Sequence, residues 1–130
     1  MQSEPIDLST ALATFTEHWQ PRIIANFNDY DVRVAKVLGE YVWHAHDDTD
    51  ELFMVISGEL SIDLDGDGGN QTVVLPAGSV FVVPRGVRHR PRARSETTLF
   101  LLDPTGTRTT GDFDGAVPDH IVSTTGVPLG

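Results

Sequence analysis

Short apolar segments separated by polar turn residues run along most of this chain. Clusters of Gly, Pro, Asn and Asp mark the breaks between them, as at 28–31, 65–70 and 76–79. The segments predicted to be strands are 22–27, 32–38, 41–46, 51–56, 60–64, 72–75, 80–83 and 97–102. Many short strands punctuated by Gly and Pro, with little helix, predict an all-β sandwich or barrel.

The N-terminal segment follows a different period. Three apolar residues recur there at helical spacing: Leu12, Phe15 and Trp19. Ser9 or Thr10 precedes them and suits the N-cap of a helix. The pattern therefore predicts a short helix within 8–19 that packs on the barrel.

The C-terminal segment, residues 104–130, has no clear periodicity. Ile121 and Val122 suit one short strand, and the last residues are expected to form an arm on the barrel or on a neighbouring subunit. At 130 residues the chain fits a single domain, 1–130, with the barrel at about 21–103.

Charge and composition narrow the function classes. Nine Lys and Arg residues against nineteen Asp and Glu residues give a formal net charge of −10, which opposes binding to nucleic acid or anionic lipid. No apolar run has the about 18 residues of a membrane span, and the N-terminus does not resemble a signal peptide. With no cysteine, disulfides and thiolate ligands are excluded. We therefore expect a cytoplasmic protein without nucleic-acid or membrane partners.

The chemistry of the chain is concentrated around two histidines. If 41–46 is a strand, side chains two residues apart share a face, so His44 and His46 project side by side. Glu51 opens the next strand, and His89 is the candidate for a fourth ligand. Imidazole and carboxylate together suit one divalent transition metal such as Zn, Fe, Mn or Ni.

Single histidines are usually core or surface residues, and we assign His18 and His120 to that class. The other three histidines differ because they combine with a glutamate at matching spacings. We therefore predict a metal site, against the alternative that the ligand residues persist without metal.

Two motifs in this chain resemble those of the cupins. The first is a glycine, a His-x-His pair, a glutamate and a second glycine, and its places are filled by Gly39, His44, His46, Glu51 and Gly58. Gly39 stands one residue closer to the first histidine than is usual. The second motif is filled by Gly78, Pro84, Gly86 and His89. An asparagine often follows this motif, but Ala93 occupies that position here.

The wider pattern, including 28–30 and 106–112, resembles a family of small single-domain cupins often labelled as similar to phosphomannose isomerase. This resemblance implies a cupin jelly-roll β-barrel with one metal held by the four residues named above. It admits dioxygenases, isomerases, decarboxylases and lyases, so it leaves the reaction open.

Strand alternation also predicts the wall of a pocket. Phe53 and Val55 share the side of Glu51 and are expected to line the cavity. Lys36 shares the parity of His44 if Gly39 does not shift the register, which makes it a third candidate. Such a pocket suits a small, partly apolar ligand, and no catalytic residue outside the metal ligands is identified.

The opposite face of the same strands is apolar. It is predicted to carry Tyr41, Trp43 and Ala45 on one strand and Leu52, Met54 and Ile56 on the next. A face this apolar needs a cover, so we expect a homodimer with Trp43 or its neighbours in the interface.

Five arginines form a basic cluster in this acidic chain: Arg85, Arg88, Arg90, Arg92 and Arg94. The last four are predicted to face away from His89. The cluster is either a solvated outer face that pairs with nearby acids or a rim that attracts an anionic substrate.

Taken together, these features predict a small metal-dependent enzyme, of dioxygenase or isomerase type, that acts on a small oxygen-bearing molecule. The alternative is a non-catalytic module that binds a small, sugar-like ligand. The two classes differ in whether the bound molecule is changed.

Overall fold

The computed structural model describes residues 4–129, and most of its regular structure is β-strand. One short helix, α1 (Leu8–Leu12), precedes the strands. The strands are β1 (Arg22–Phe27), β2 (Tyr30–Glu40), β3 (Glu51–Ser57), β4 (Glu59–Gly66), β5 (Gly69–Pro76), β6 (Val80–Val83), β7 (Arg88–Pro104) and β8 (Val127–Pro128). The prediction of an all-β fold with a short N-terminal helix is confirmed.

The predicted domain and tail also include residues 1–3 and 130, which lie outside the described residues. Within the described part, no helix has the length and apolarity that crossing a membrane requires.

The strands belong to one sheet that is organised around β7. The hydrogen-bonded path runs β5-β4-β7-β2-β1-β8, and β3 pairs with β7 while carrying β6 on its other edge. One edge of β7 pairs with β2, whereas the other pairs first with β4 and then with β3. Among residues 4–129 the sheet does not close on itself. The length of β7 therefore lets one strand contribute side chains to both ends of the interior.

Burial along β7 follows the two-residue period of a strand. Odd-numbered residues from His89 to Asp103 are buried except Ser95, and the even-numbered ones are half-buried or exposed. The odd-numbered residues of β2 from Asp31 to Val37 are likewise buried. These rows, together with Phe53 and Val55 of β3, form the inner face of the sheet.

The arginines of β7 lie on the outer face, as predicted. Asp63 of β4 accepts hydrogen bonds from both Arg90 and Arg92, with the shortest N–O distances 2.8 and 2.9 Å. The guanidinium of Arg92, with further help from Thr72 and Arg90, holds the pKa of Asp63 below its usual range. Arg88 and Arg90 also lie over the ring of Trp43. These pairings agree with a solvated outer face rather than with a free anion-binding rim.

The N-terminal helix is shorter than predicted. Asp7, rather than Ser9 or Thr10, is the N-cap, and its carboxylate accepts a 2.9 Å hydrogen bond from the backbone N–H of Thr10. The helix ends at Leu12 instead of extending toward residue 19. The helical spacing was misleading because the three apolar residues pack in two different places.

Leu12 and Phe15 pack with Val34 on the outer side of β2, in a cluster that α1 covers. Trp19 instead belongs to the interior cluster and has a left-handed φ of 61°. Its indole N–H donates to the carbonyl of Leu38 at 2.8 Å. The chain thus turns inward at Trp19, which a continuous helix would not allow.

The predicted strand 41–46 is absent, because between β2 and β3 the described chain makes only one isolated bridge, from His44 to His89. Alternation therefore does not apply there. Tyr41, predicted to face outward, is buried in the interior, where it stacks on Trp19 with ring centroids 4.7 Å apart. Ala45 is buried as well, so the outward face predicted for this segment is reduced to Trp43.

The C-terminal segment returns across the sheet. Ile121 is buried in the interior cluster and does not belong to a strand, which corrects the strand predicted at Ile121 and Val122. The short strand is β8, which pairs in parallel with the start of β1. The tail is therefore fixed at both ends of its path over the barrel.

Candidate metal centre

The four predicted ligand residues converge on one point. His44, His46, Glu51 and His89 each offer a ligand atom, and these atoms all lie within 4.8 Å of one another. Two backbone hydrogen bonds join His44 to His89, at 2.8 and 3.0 Å. The carbonyl of His46 accepts from the N–H of Gly86 at 2.9 Å. Backbone contacts rather than a continuous strand thus bring the first motif against the second.

Two of the imidazoles are oriented by backbone carbonyls. Nδ1 of His44 lies 2.9 Å from the carbonyl oxygen of Val42, and Nδ1 of His89 lies 3.0 Å from that of Val87. A carbonyl oxygen only accepts, so Nδ1 carries the proton in each ring. The lone pair is then on Nε2, which faces the cluster. This is the arrangement in which histidine binds a metal.

Electrostatics keep the cluster in the form that binds cations. Burial lowers the pKa of His44 to about 4, so this ring is neutral at pH 7. Burial opposes ionisation of Glu51, but contacts with His46 and His89 outweigh it and hold the pKa of this carboxyl below its usual range. Burial alone would lower the pKa of His46, and its contact with Glu51 raises it. The negative charge of Glu51 among the three imidazoles thus favours a cation at this point.

The atoms that face the centre lack hydrogen-bond partners. Among the described residues, Nε2 of all three histidines and Oε2 of Glu51 are buried without a hydrogen bond of acceptable geometry. Buried polar atoms are rarely left in this state. Three imidazole nitrogens and a carboxylate oxygen turned toward one point fit a divalent transition ion.

A small cavity opens beside this cluster. Its apolar wall includes Trp19, Ala35, Val37, Phe53, Leu99 and Leu101. The volume open to the centre of a water molecule is about 40 Å³ in this cavity, and by the same measure a single water needs about 10–15 Å³. The space therefore suits a ligand of a few heavy atoms.

The three predicted pocket residues are placed differently. Phe53 lines the cavity, while Val55 is buried in the interior cluster two residues further from the metal ligands. Lys36 lies on the outer face of β2, where its ammonium donates to the carbonyl of Phe15 at 2.6 Å. The register shift between Val37 and Gly39 breaks the parity count on which Lys36 was chosen. Its assignment to the pocket is corrected accordingly.

One end of the cavity carries buried polar groups that the sequence analysis missed. Arg33 and Asp103 both line it, at 1% and 5% exposure, and Arg33 Nη1 lies 3.8 Å from Asp103 Oδ2. Burial and the charge of Glu51 raise the pKa of Asp103 to about 7, against the opposing effect of Arg33. Strand parity was the available signal, since Arg33 and Asp103 share the inward faces of β2 and β7.

The tail closes the cavity. Thr107, Arg108 and Thr109 line it, and Asp112 exchanges two hydrogen bonds with the backbone of Ala45, at 2.7 and 3.0 Å. Gly111 has a φ of +53°, and a Cβ there would collide with the carbonyl oxygen of Ala45 and lie 3.0 Å from the ring of His44. The loop composition of this segment contained no signal for such a role.

Comparison with known proteins gives the chain its family. The Cupin_2 family, described as a cupin domain, matches residues 32–104. The Bacillus subtilis (strain 168) protein YdbB, described as uncharacterised, is 45% identical over 80 residues, which cover 62% of this chain and 68% of YdbB.

Solved structures show the same fold. A cupin-2 domain protein from Shewanella frigidimarina NCIMB 400 is 41% identical, with a TM-score of 0.72, and the match covers 76% of this chain and 93% of that one. Hydroquinone 1,2-dioxygenase PnpCD in complex with Fe³⁺ is 20% identical with a TM-score of 0.71 over 79% of this chain and 33% of that one, which is a likeness of fold alone. The sheet described above is thus a cupin jelly roll, and the chain belongs to the Cupin_2 family.

Proposed function

We propose that this protein is a metal-dependent cupin enzyme that acts on a small oxygen-bearing molecule. One divalent ion is held by Nε2 of His44, His46 and His89 and by the carboxylate of Glu51. The observation that carries the proposal is the convergence of these four buried atoms, which have no hydrogen bonds among the described residues.

The donor set leaves the ion able to take a further ligand. Transition ions accept about five or six donors, and four come from the protein, so positions remain for a substrate oxygen. When bound, the ion supplies Lewis-acid polarisation or, if it is redox-active, a route to dioxygen chemistry. Zn, Fe, Mn and Ni all suit imidazole and carboxylate ligands.

The protein's own residues define the environment of that position. Phe53, Leu99 and Leu101 make the wall apolar. In such surroundings, electrostatic interactions with the ligand are stronger than in water. The apolar wall and the small volume favour a compact substrate such as a diol, an enol or a carboxylic acid.

Dioxygenase or isomerase chemistry is tested with purified protein loaded in turn with Fe, Mn, Ni and Zn. Each form is incubated with small diols, keto acids and enols, while oxygen uptake and product formation are followed. We expect turnover with at least one metal, and none with the His44→Ala variant under the same conditions. If ligands bind to the loaded protein but every form returns them unchanged, the chain is a small-ligand binding module instead.

The protein is also proposed to be a homodimer. The outer faces of β3, β6 and β7 carry a row of apolar residues, namely Leu52, Met54, Val80, Val82, Phe100 and Leu102. Val80 and Val82 are 59% and 45% exposed, and the α1 cluster packs against Ile56, at one end of this face. This face replaces Trp43 as the expected interface, because Arg88 and Arg90 already lie over the Trp43 ring. A second copy of the chain would cover the face through a symmetric contact.

Light scattering at micromolar concentration should give twice the mass of the 14.2 kDa chain. Val82→Glu places a charge in the face and should produce the monomer. Val74→Glu is the matched control, since Val74 is 55% exposed on β5, outside this face. A wild-type monomer, or a Val82→Glu dimer as stable as the control, contradicts the proposed interface.

A further inference from the structure

Three buried polar atoms of residues that line the cavity have no well-formed hydrogen bond among residues 4–129. They are Oδ1 of Asp103, Nε of Arg33 and the hydroxyl of Tyr41, which has only a close contact with Thr109. All three residues line the cavity beside the metal ligands. Such atoms carry a desolvation cost unless something in the cavity pairs with them. They are therefore candidates for contacts with a bound ligand.

Asp103 lies next to the metal cluster along the sheet. Leu52 of β3 pairs with Leu102 of β7, which places Glu51 and Asp103 at adjacent positions on neighbouring strands. Both side chains face inward, and directly opposed residues have Cβ atoms about 5 Å apart. A molecule of a few atoms bound at the centre that includes Glu51 is therefore within reach of Asp103.

The second oxygen of Asp103 is already engaged. Oδ2 is the oxygen that faces Arg33, at 3.8 Å from Nη1. Arg33 is itself held by a 3.0 Å contact with Asp31 and a 2.8 Å hydrogen bond to the carbonyl of Thr125. Oδ1 is thus the oxygen of this carboxylate that has no partner among the described residues, and it can accept a hydrogen bond from a ligand.

The unpaired atoms define the group that fits beside them. Asp103 Oδ1 offers an acceptor, while Arg33 Nε and the Tyr41 hydroxyl offer donors. At a pH above the raised pKa of Asp103, the carboxylate of this residue would repel a ligand carboxylate, and Arg33 would repel a ligand ammonium. A neutral hydroxyl both donates and accepts, so it satisfies the two kinds of atom together.

We propose that Asp103 binds a hydroxyl of the substrate whose other oxygen lies on the metal. The site then selects small molecules with two oxygen groups one or two carbons apart, of which one is a hydroxyl, as in hydroxy acids, diols and enediols. This inference rests on the proposed metal centre and gives its substrate class.

The test compares ligands that differ by one hydroxyl. Calorimetric titration of the metal-loaded protein, at a pH above the raised pKa of Asp103, with glycolate and acetate and with 3-hydroxypropionate and propionate gives two affinity ratios. At least one hydroxylated ligand should bind about 10-fold or more tighter than its counterpart, as expected for a hydrogen bond to a charged group. Asp103→Asn keeps the shape of the side chain and should reduce that ratio to about 3 or less, and the ratio cancels any change that the lost charge makes to the affinity for both acids.

Asp63→Asn is the matched control, because Asp63 is a largely buried acid that binds Arg90 and Arg92 outside the cavity. It should retain the wild-type ratio. The inference is overturned if neither hydroxylated ligand is preferred by the wild type, or if Asp103→Asn keeps the preference. If Asp103→Asn does not fold, the same measurement on Tyr41→Phe, which removes a donor to the same hydroxyl, should show a weaker preference, and an unchanged one overturns the inference.

Metal content separates this inference from the proposed function. Wild-type protein that fails to take up any ion rejects the metal centre itself. Loaded protein that binds both members of each pair equally well leaves the metal centre standing and rejects only the role of Asp103.

Discussion

His46→Ala is expected to lower the metal content of protein purified without chelator from about one ion per chain to less than about a tenth. The substitution removes one of four converging ligands and leaves Glu51 without its closest partner. Removing a residue that merely supports a ligand costs about 10–100-fold in metal affinity, so loss of a ligand should cost at least about 100-fold. Elemental analysis and competition with a chromophoric chelator measure the two quantities.

Thermal unfolding provides an independent measure of the same site. A metal present at about 100 times its Kd stabilises the native state by about 2.7 kcal/mol, or on the order of 10 °C in Tm for a chain of this size. Chelator should produce that drop in the wild type and almost none in His46→Ala. His120→Ala is the matched control, because His120 contacts the carbonyl of Glu40 away from the cluster. Full metal content in His46→Ala would refute the ligand assignment.

Gly111→Ala is expected to destabilise the protein by about 3 kcal/mol and to weaken metal binding by about 10-fold. The left-handed backbone at φ +53° costs an alanine about 1 kcal/mol. The rest of the effect comes from the new methyl group, which would collide with the carbonyl of Ala45 and press on the ring of His44. Displacement of that ring also disturbs the metal centre.

Gly106→Ala separates these two effects. Gly106 has a φ of +88°, yet a Cβ there would meet nothing within 4 Å. Its substitution therefore tests backbone strain alone and should cost about 1 kcal/mol without changing the metal affinity. Chemical denaturation and metal titration on both variants give the comparison. Equal losses in the two variants would show that the tail does not position His44.

The parts of the fold and of the candidate site that could be predicted from the sequence are those that local sequence patterns determine. Turn residues and apolar runs located most of the strands, because each strand needs a period of two and a break at either end. Three of the four metal-facing residues, His44, His46 and Glu51, follow from local spacing, and His89 follows from the resemblance to the second cupin motif. The structure brings all four together.

Other parts depended on contacts distant in sequence. Residues 41–46 were predicted by alternation, but their path is set by hydrogen bonds to the second motif, so Tyr41 was assigned to the wrong face. The predicted length of the N-terminal helix was wrong for a similar reason, since Leu12 and Trp19 pack in separate clusters. Periodicity shows that a residue is buried, but it does not show against what.

The missed groups of the cavity illustrate the same limit. In the sequence, Arg33 and Asp103 have the pattern of ordinary charged residues on strands. Only the pairing register of β2 and β7 places both at one end of the interior. The closure by the tail depends on Gly111 fitting against Ala45 and His44, a contact between residues more than sixty positions apart. A local pattern does not contain that information.

The carbonyl support of His44 and His89 has a consequence for how this protein tolerates sequence change. Each ring is oriented by the peptide oxygen two residues upstream, at Val42 and Val87, and not by a side chain. Every amino acid supplies that oxygen, so mutations at these two positions leave the tautomer of the ligands intact as long as the new side chain fits. The polar end of the cavity is not protected from substitution in this way, because each of its polar groups belongs to a side chain. Random substitutions should therefore change the ligand specificity of the protein at an earlier stage than they abolish metal binding.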